Sequence, residues 1–185
     1  MKLQALLSLC FVGAVTVQAA AVQATPEKVD VVGGLKSHDQ GFKHVGDDGV
    51  ARSFGPDGIV IDAAALTNVQ LLEEAKNHPD SSARKHLMEL WKNVDGRNVP
   101  LEHHYSPPQN VLPLSLRDPE VKKELEAKQN EQLATYGQSP NKRSSILSPR
   151  ACESIICKDT NWCQIYGCAY CRAYDQIKTQ YCVIR

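Results

Sequence analysis

Six cysteines crowd into the last 34 residues of this 185-residue chain, at Cys152, Cys157, Cys163, Cys168, Cys171 and Cys182, and none lies between Cys10 and Cys152. A segment that short cannot bury enough apolar surface to offset the entropy of ordering it, so it needs covalent staples. An even number of cysteines packed at one end of a chain reads as a disulfide framework. Each bridge closing a loop of about 15 residues contributes roughly 3 kcal/mol. The spacing is C-x4-C-x5-C-x4-C-x2-C-x10-C. Six cysteines allow fifteen connectivities, and spacing alone does not choose among them.

The opposite end of the chain predicts an oxidising destination. Lys2 precedes an apolar stretch from Leu6 to Val17, broken only by Ser8, Gly13 and Thr16. Two small-residue cleavage patterns follow, Val17-Gln18-Ala19 and Val22-Gln23-Ala24. This is the form of a secretory signal peptide, taken over residues 1–19. No later segment reaches the ~18 apolar residues of a transmembrane helix. Cys10 leaves with the signal, so the exported, extracellular chain keeps an even cysteine count. Lys plus Arg and Asp plus Glu are both 21, which leaves no electrostatic footprint for nucleic acid.

Between signal and cysteines, residues 20–143 predict a partly ordered α+β pro-region, mainly helical, with disordered linkers. Residues 144–185 predict a small disulfide-rich domain of short β-strands. Thr25 to Lys43 is polar and aperiodic and reads as flexible. Val50 to Phe54 and Ile59 to Asp62 alternate around Gly55-Pro56-Asp57-Gly58, which predicts a hairpin over about 48–62. A helix over about 63–77 places Leu66, Val69 and Leu72 on one face and ends at His78-Pro79. Asp80 or Ser81 caps a second helix over 81–94, with Leu87, Leu90, Trp91 and Val94 at helical spacing. Val99 to Leu116 is proline-rich and reads as an extended linker. Asp118-Pro119-Glu120 starts a third helix over 118–136 whose apolar face is thin, so it is expected to be solvated. Ile155, Ile156, Ile165, Val183 and Ile184 mark short strands beside the cysteines.

Lys142-Arg143 sits between the cysteine-free and cysteine-rich parts, in a Pro- and Ser-flanked stretch. Such a dibasic pair is what a kexin-type processing protease cleaves. Arg84-Lys85 and Lys122-Lys123 fall inside predicted helices, where the backbone does not thread easily into a protease. Cleavage would give a 42-residue product, Ser144 to Arg185, with net charge +2, and a remainder from Ala20 to Arg143 with net charge −3.

Catalytic chemistry finds little footing. Cys168-Ala169-Tyr170-Cys171 has redox-motif spacing but lacks the larger strand-and-helix context that a thioredoxin-like site requires, so it reads as structural. Zinc binding by these cysteines would need a reducing compartment. His103-His104 reads as a solvated loop. No H-E-x-x-H, G-x-S-x-G or P-loop pattern occurs. The expectation is a non-enzyme with no catalytic residue, metal or cofactor. Five of the chain's eleven aromatics gather in the cysteine-rich part, and Trp162, Tyr166, Tyr170 and Tyr174 beside Arg172 and Lys178 are candidate exposed recognition anchors.

The spacing of the six cysteines resembles that of inhibitor cystine knots. The resemblance implies pairing of Cys152 with Cys168, Cys157 with Cys171, and Cys163 with Cys182. The signal over Met1 to Ala19, the Lys142-Arg143 site and the six cysteines together resemble small secreted cysteine-rich proteins of filamentous fungi. That resemblance implies an effector or toxin-like peptide that binds an extracellular or host protein target after processing. Two alternatives are a secreted serine-protease inhibitor presenting Lys178, and a membrane-active antimicrobial peptide.

Overall fold

In the computed structural model, which describes residues 30–137 and 149–184, the hairpin forms around its Pro-Asp-Gly turn. Strands β1 (Phe42–Val45), β2 (Val50–Phe54) and β3 (Val60–Ala65) are joined by short turns and pair antiparallel in sequence order. Gly58 lies at φ 77°, a left-handed conformation that glycine adopts without a steric penalty. The expected signal peptide and the Lys142-Arg143 pair lie outside the described residues.

The sheet does not stop at the hairpin. The free edge of β1 pairs in parallel with β4 (Tyr170–Tyr174), and β4 pairs antiparallel with β5 (Tyr181–Val183). The order is β3-β2-β1-β4-β5, so one five-stranded sheet runs through both the cysteine-free and the cysteine-rich parts. Side chains alternate between its faces. Tyr170 and Tyr174 of β4 join Val45, Leu66, Leu71, Leu87 and Trp91 in one apolar cluster. Cys171 and Ala173, one position out of phase, join Phe42, Phe54, Ile155 and the other five cysteines in a second. The disulfides Cys152–Cys168, Cys157–Cys171 and Cys163–Cys182 fill that second cluster, and this is the connectivity implied by the cystine-knot likeness.

Helices cover the first cluster. A short α1 (Val31–Gly34) is capped by Asp30. Helix α2 (Asn68–Lys76) starts later than its apolar pattern predicts. Ala63, Ala64 and Ala65 instead pair with Arg52, Ala51 and Val50, because sheet pairing overrides alanine's helix preference. The start is set by a capping box in which Thr67 and Gln70 satisfy each other's backbone N–H groups. Helix α3 (Ser81–Leu90) is capped by Asp80 and stops before Trp91, whose indole N–H donates to the Gly46 carbonyl at 3.1 Å.

Four further expectations need correction. The stretch from Val99 to Leu116 is not an extended linker. It carries α4 (Leu101–Tyr105), a 3-10 turn over 109–111 and α5 (Leu114–Arg117). The buried Arg52 guanidinium fastens α4 by donating to the His103 and His104 carbonyls at 2.9 and 3.1 Å. Helix α6 (Pro119–Gly137) is not wholly solvated, since Val121, Leu125 and Gln129 are buried. The stretch read as flexible up to Lys43 is not flexible at its end: Phe42 and Lys43 open β1, all four of whose residues are buried. After a 3-10 segment over Pro149–Ser154, a short α7 (Thr160–Ile165) stands where Ile165 was read as strand, and Ile165 is exposed.

Gly49 and Gly96 mark a tight backbone approach. Gly96 donates to the Leu66 carbonyl at 2.9 Å, and Leu66 donates to the Gly49 carbonyl at 3.0 Å. A Cβ on Gly96 would stand 2.2 Å from the Gly49 oxygen. Gly96→Ala is therefore expected to destabilise the protein by about 1–3 kcal/mol, because backbone must move to relieve the clash. A denaturation midpoint equal to that of the wild type would refute it.

Candidate functional site

The parity of β4 decides where its side chains go. Tyr170, Arg172 and Tyr174 share the face turned toward α1 and α2, and all three are buried. Arg172 is a charged group in the interior, and burial of that kind requires partners. Its Nη1 donates to Glu74 at 2.5 Å, and Nη2 faces Asp30 at 3.3 Å. Tyr170 donates its hydroxyl to the other Asp30 oxygen at 3.2 Å, and the guanidinium lies 5.0 Å from the Tyr170 ring centre. Lys43 reaches the same ring at 4.2 Å and donates to the Gly33 carbonyl at 2.7 Å. Burial opposes the Arg172 charge, but the Tyr174 hydroxyl and the Glu74 and Asp30 carboxylates more than offset it and hold its pKa above the ordinary value. Burial pushes the Tyr174 hydroxyl up to about 12, and pushes Lys43 down to about 8.

Asp30, Glu74, Arg172 and Tyr174 of this network form the floor of a cleft of about 870 Å³ between α1, α2 and the β4–β5 edge. Apolar walls come from Val31, Leu66, Val69, Tyr181, Val183 and Ile184. Val69 is 71% and Ile184 38% exposed, which places aliphatic surface at the mouth. Asp30, Glu73, Glu74 and Glu153 line the cleft; Arg172 pairs with Glu74 and Asp30, and Lys76 pairs with Glu73 at 2.6 Å. The arrangement is suited to holding a group that is both apolar and cationic.

The residues expected as recognition anchors do not form one surface. Tyr170, Arg172 and Tyr174 are core, so the expectation that they stand exposed is corrected. They alternate with Cys171 and Ala173 on a central strand, and both faces of that strand are covered. Arg172 and Tyr174 nevertheless reach the cleft floor. Trp162 and Tyr166 pack edge to face at 5.3 Å on the disulfide side, partly buried. Lys178 stands in the β4–β5 turn with its side chain 61% exposed, 3.8 Å from Glu124. Glu73, Glu74, Asp30 and Glu153 were missed. The Tyr-x-Arg-x-Tyr alternation over 170–174 was the available signal, since period two marks a strand with one shared face. Cys168 and Cys171 bond to different partners, so they are not a redox pair.

A second buried polar group links the same two parts of the chain. The His44 ring is enclosed, with Nε2 3.0 Å from the Asp175 carbonyl oxygen. Burial pushes its pKa down to about 4, partly opposed by that hydrogen bond. His78 is also lowered, by burial first. The unfolded chain, with His44 near 6.5, then binds more protons than the folded one below that pH. Stability at this site is complete above about pH 6.5 and falls as pH drops toward 4, by about 3 kcal/mol. Thermal midpoints measured across this window should decline less steeply in His44→Gln than in the wild type. Parallel curves would sink the assignment.

Comparison with known proteins gives one similarity across nearly the whole chain. A Lactobacillus up-regulated protein of Emericella nidulans is 29% identical over 175 residues, covering 92% of this chain and 90% of that protein. The likeness therefore takes in both the cysteine-free and the cysteine-rich parts. No family model matches. No solved structure matches.

Proposed function

We propose that the protein is secreted and acts by binding, as an effector or toxin-like protein directed at a host or competitor. In this reading the cleft between α2 and β5 holds a cationic, aliphatic segment of an extracellular protein target. The observation that carries it is aliphatic side chains at the mouth of a cleft whose carboxylates outnumber its cations, four against Arg172 and the Glu73-bound Lys76. An apolar anchor supplies affinity in such a site, and the surrounding charge supplies orientation and association rate.

The test uses a peptide of alternating lysine and leucine, and its glutamate-for-lysine counterpart, titrated calorimetrically into the full exported chain. The lysine peptide should bind, and a Glu73→Lys, Glu153→Lys double variant should weaken it roughly tenfold, about 1.4 kcal/mol. Equal binding of the acidic peptide, or none of the basic one, would discard the cleft as the site.

Export and processing are read separately, from the mass of the product released by a eukaryotic secretory host. The expected product starts after Ala19 or Ala24, is lighter than its reduced form by the hydrogens of three disulfides, and under denaturing conditions shows a new chain starting at Ser144. The exposed Lys178 favours one further reading, a serine-protease inhibitor. Failure to inhibit trypsin at micromolar concentration removes it.

A further inference from the structure

None of the three disulfides leaves the segment from Cys152 to Cys182, and residues 30–137 contain no cysteine. The two halves of the sheet are therefore joined covalently only by the chain that runs from one to the other through residues 138–148. Everything else across the seam is noncovalent, and it is extensive. Strand β1 pairs with β4 through Lys43, His44 and Val45 opposite Arg172, Ala173 and Tyr174. The pairing is continued by Thr160 donating to the Gly41 carbonyl at 2.8 Å, Asn161 to Asp39 at 2.6 Å and Asp175 to Val45 at 2.7 Å. Arg172, from the cysteine-rich side, finds its carboxylates Glu74 and Asp30 on the other side. Phe42 and Phe54 complete the disulfide cluster from across the seam.

We propose that residues 30–137 are a binding partner for the six-cysteine segment, and that cutting the chain between them leaves a two-chain protein instead of releasing a peptide. Separation would strip β4 of a strand neighbour, leave a buried guanidinium without its carboxylates, and expose Tyr170 and Tyr174. Among the described residues, the carboxylates that pair with Arg172, Glu74 and Asp30, both lie outside the six-cysteine segment. Proteolysis in the connecting segment thus nicks the protein and keeps its cleft, whose floor and walls come from both sides of the seam. This inference does not depend on what the cleft binds.

The experiment uses the full exported chain with the recognition sequence of a site-specific protease, flanked by glycine-serine repeats, placed between Gln138 and Leu147. The folded, oxidised protein is cut to completion, as judged by denaturing mass spectrometry without reductant, which should show two separate chains. Native mass spectrometry and gel filtration at micromolar concentration should then show a single species of the uncut mass plus one water, and guanidinium should split it. Two species under native conditions would overturn the proposal. So would a cut protein whose far-ultraviolet spectrum matches the uncut one while its six-cysteine chain elutes alone.

Discussion

Reduction of the three disulfides is expected to unfold the whole described body and not merely its C-terminal third. The bridges span 16, 14 and 19 positions, so each constrains the unfolded chain by about 3 kcal/mol, and the set by about 9 kcal/mol. That is comparable with the entire stability of an ordinary domain, about 5–15 kcal/mol. The loss cannot be confined to the cysteine-rich part, because β4 lies between β1 and β5 in one sheet and its tyrosines pack with Leu71, Leu87 and Trp91. Near-ultraviolet dichroism, dominated by Trp91, Trp162 and the tyrosines, should disappear in one transition under reductant. A residual cooperative transition in the reduced chain would show that residues 30–137 fold without their partner, and would also argue against the two-chain proposal.

Glu74→Ala should cost about 3–5 kcal/mol, a value ordinarily reached only by large core truncations. The side chains of Arg172 and Glu74 are 5% and 14% exposed, so the alanine leaves a guanidinium in the interior with the more exposed Asp30 as its remaining carboxylate and the Tyr174 hydroxyl beside it. The same logic predicts that Glu74→Leu combined with Arg172→Met recovers most of the loss, since two well-packed apolar side chains remove both desolvation penalties together. Denaturant titration of the two single variants and the double variant forms a cycle whose coupling term measures the pair. A Glu74→Ala loss below about 1 kcal/mol would mean that the pair is screened like a surface one. In the cut two-chain protein the same substitution should promote dissociation.

Local chemistry was legible wherever a side chain acts on its own neighbourhood. The Pro-Asp-Gly turn, the Asp80 cap and the proline-started helix at 119 all lie where turn and capping residues place them. The Thr67 capping box was equally readable, and would have put the start of α2 at Asn68. Strand β4 carried its signal too, in the alternation of Tyr170, Arg172 and Tyr174 with Cys171 and Ala173. An arginine inside an apolar alternation looks like a surface residue until its carboxylates are known, and both lie on distant elements. The same holds for Lys43, which made the start of β1 read as the end of a polar, flexible stretch.

The candidate cleft was not legible for a related reason. Its carboxylates come from the residue before α1, from α2 and from the segment ahead of α7, and no spacing in the chain brings Asp30, Glu74 and Glu153 together.

From its residues alone this chain can be read as cysteine-stapled at one end, turned and capped as observed in its middle, and built of short strands and helices. The tertiary structure decided that the cysteine-rich segment and the rest are one sheet. A period of two tells a strand which of its faces are apolar, but it names no neighbour. His44 meets Asp175 across 131 positions, and that contact is favourable only once burial of Arg172 against Glu74 and Asp30, and of Phe42 and Phe54 against the disulfides, offsets the entropy of closing so long a loop.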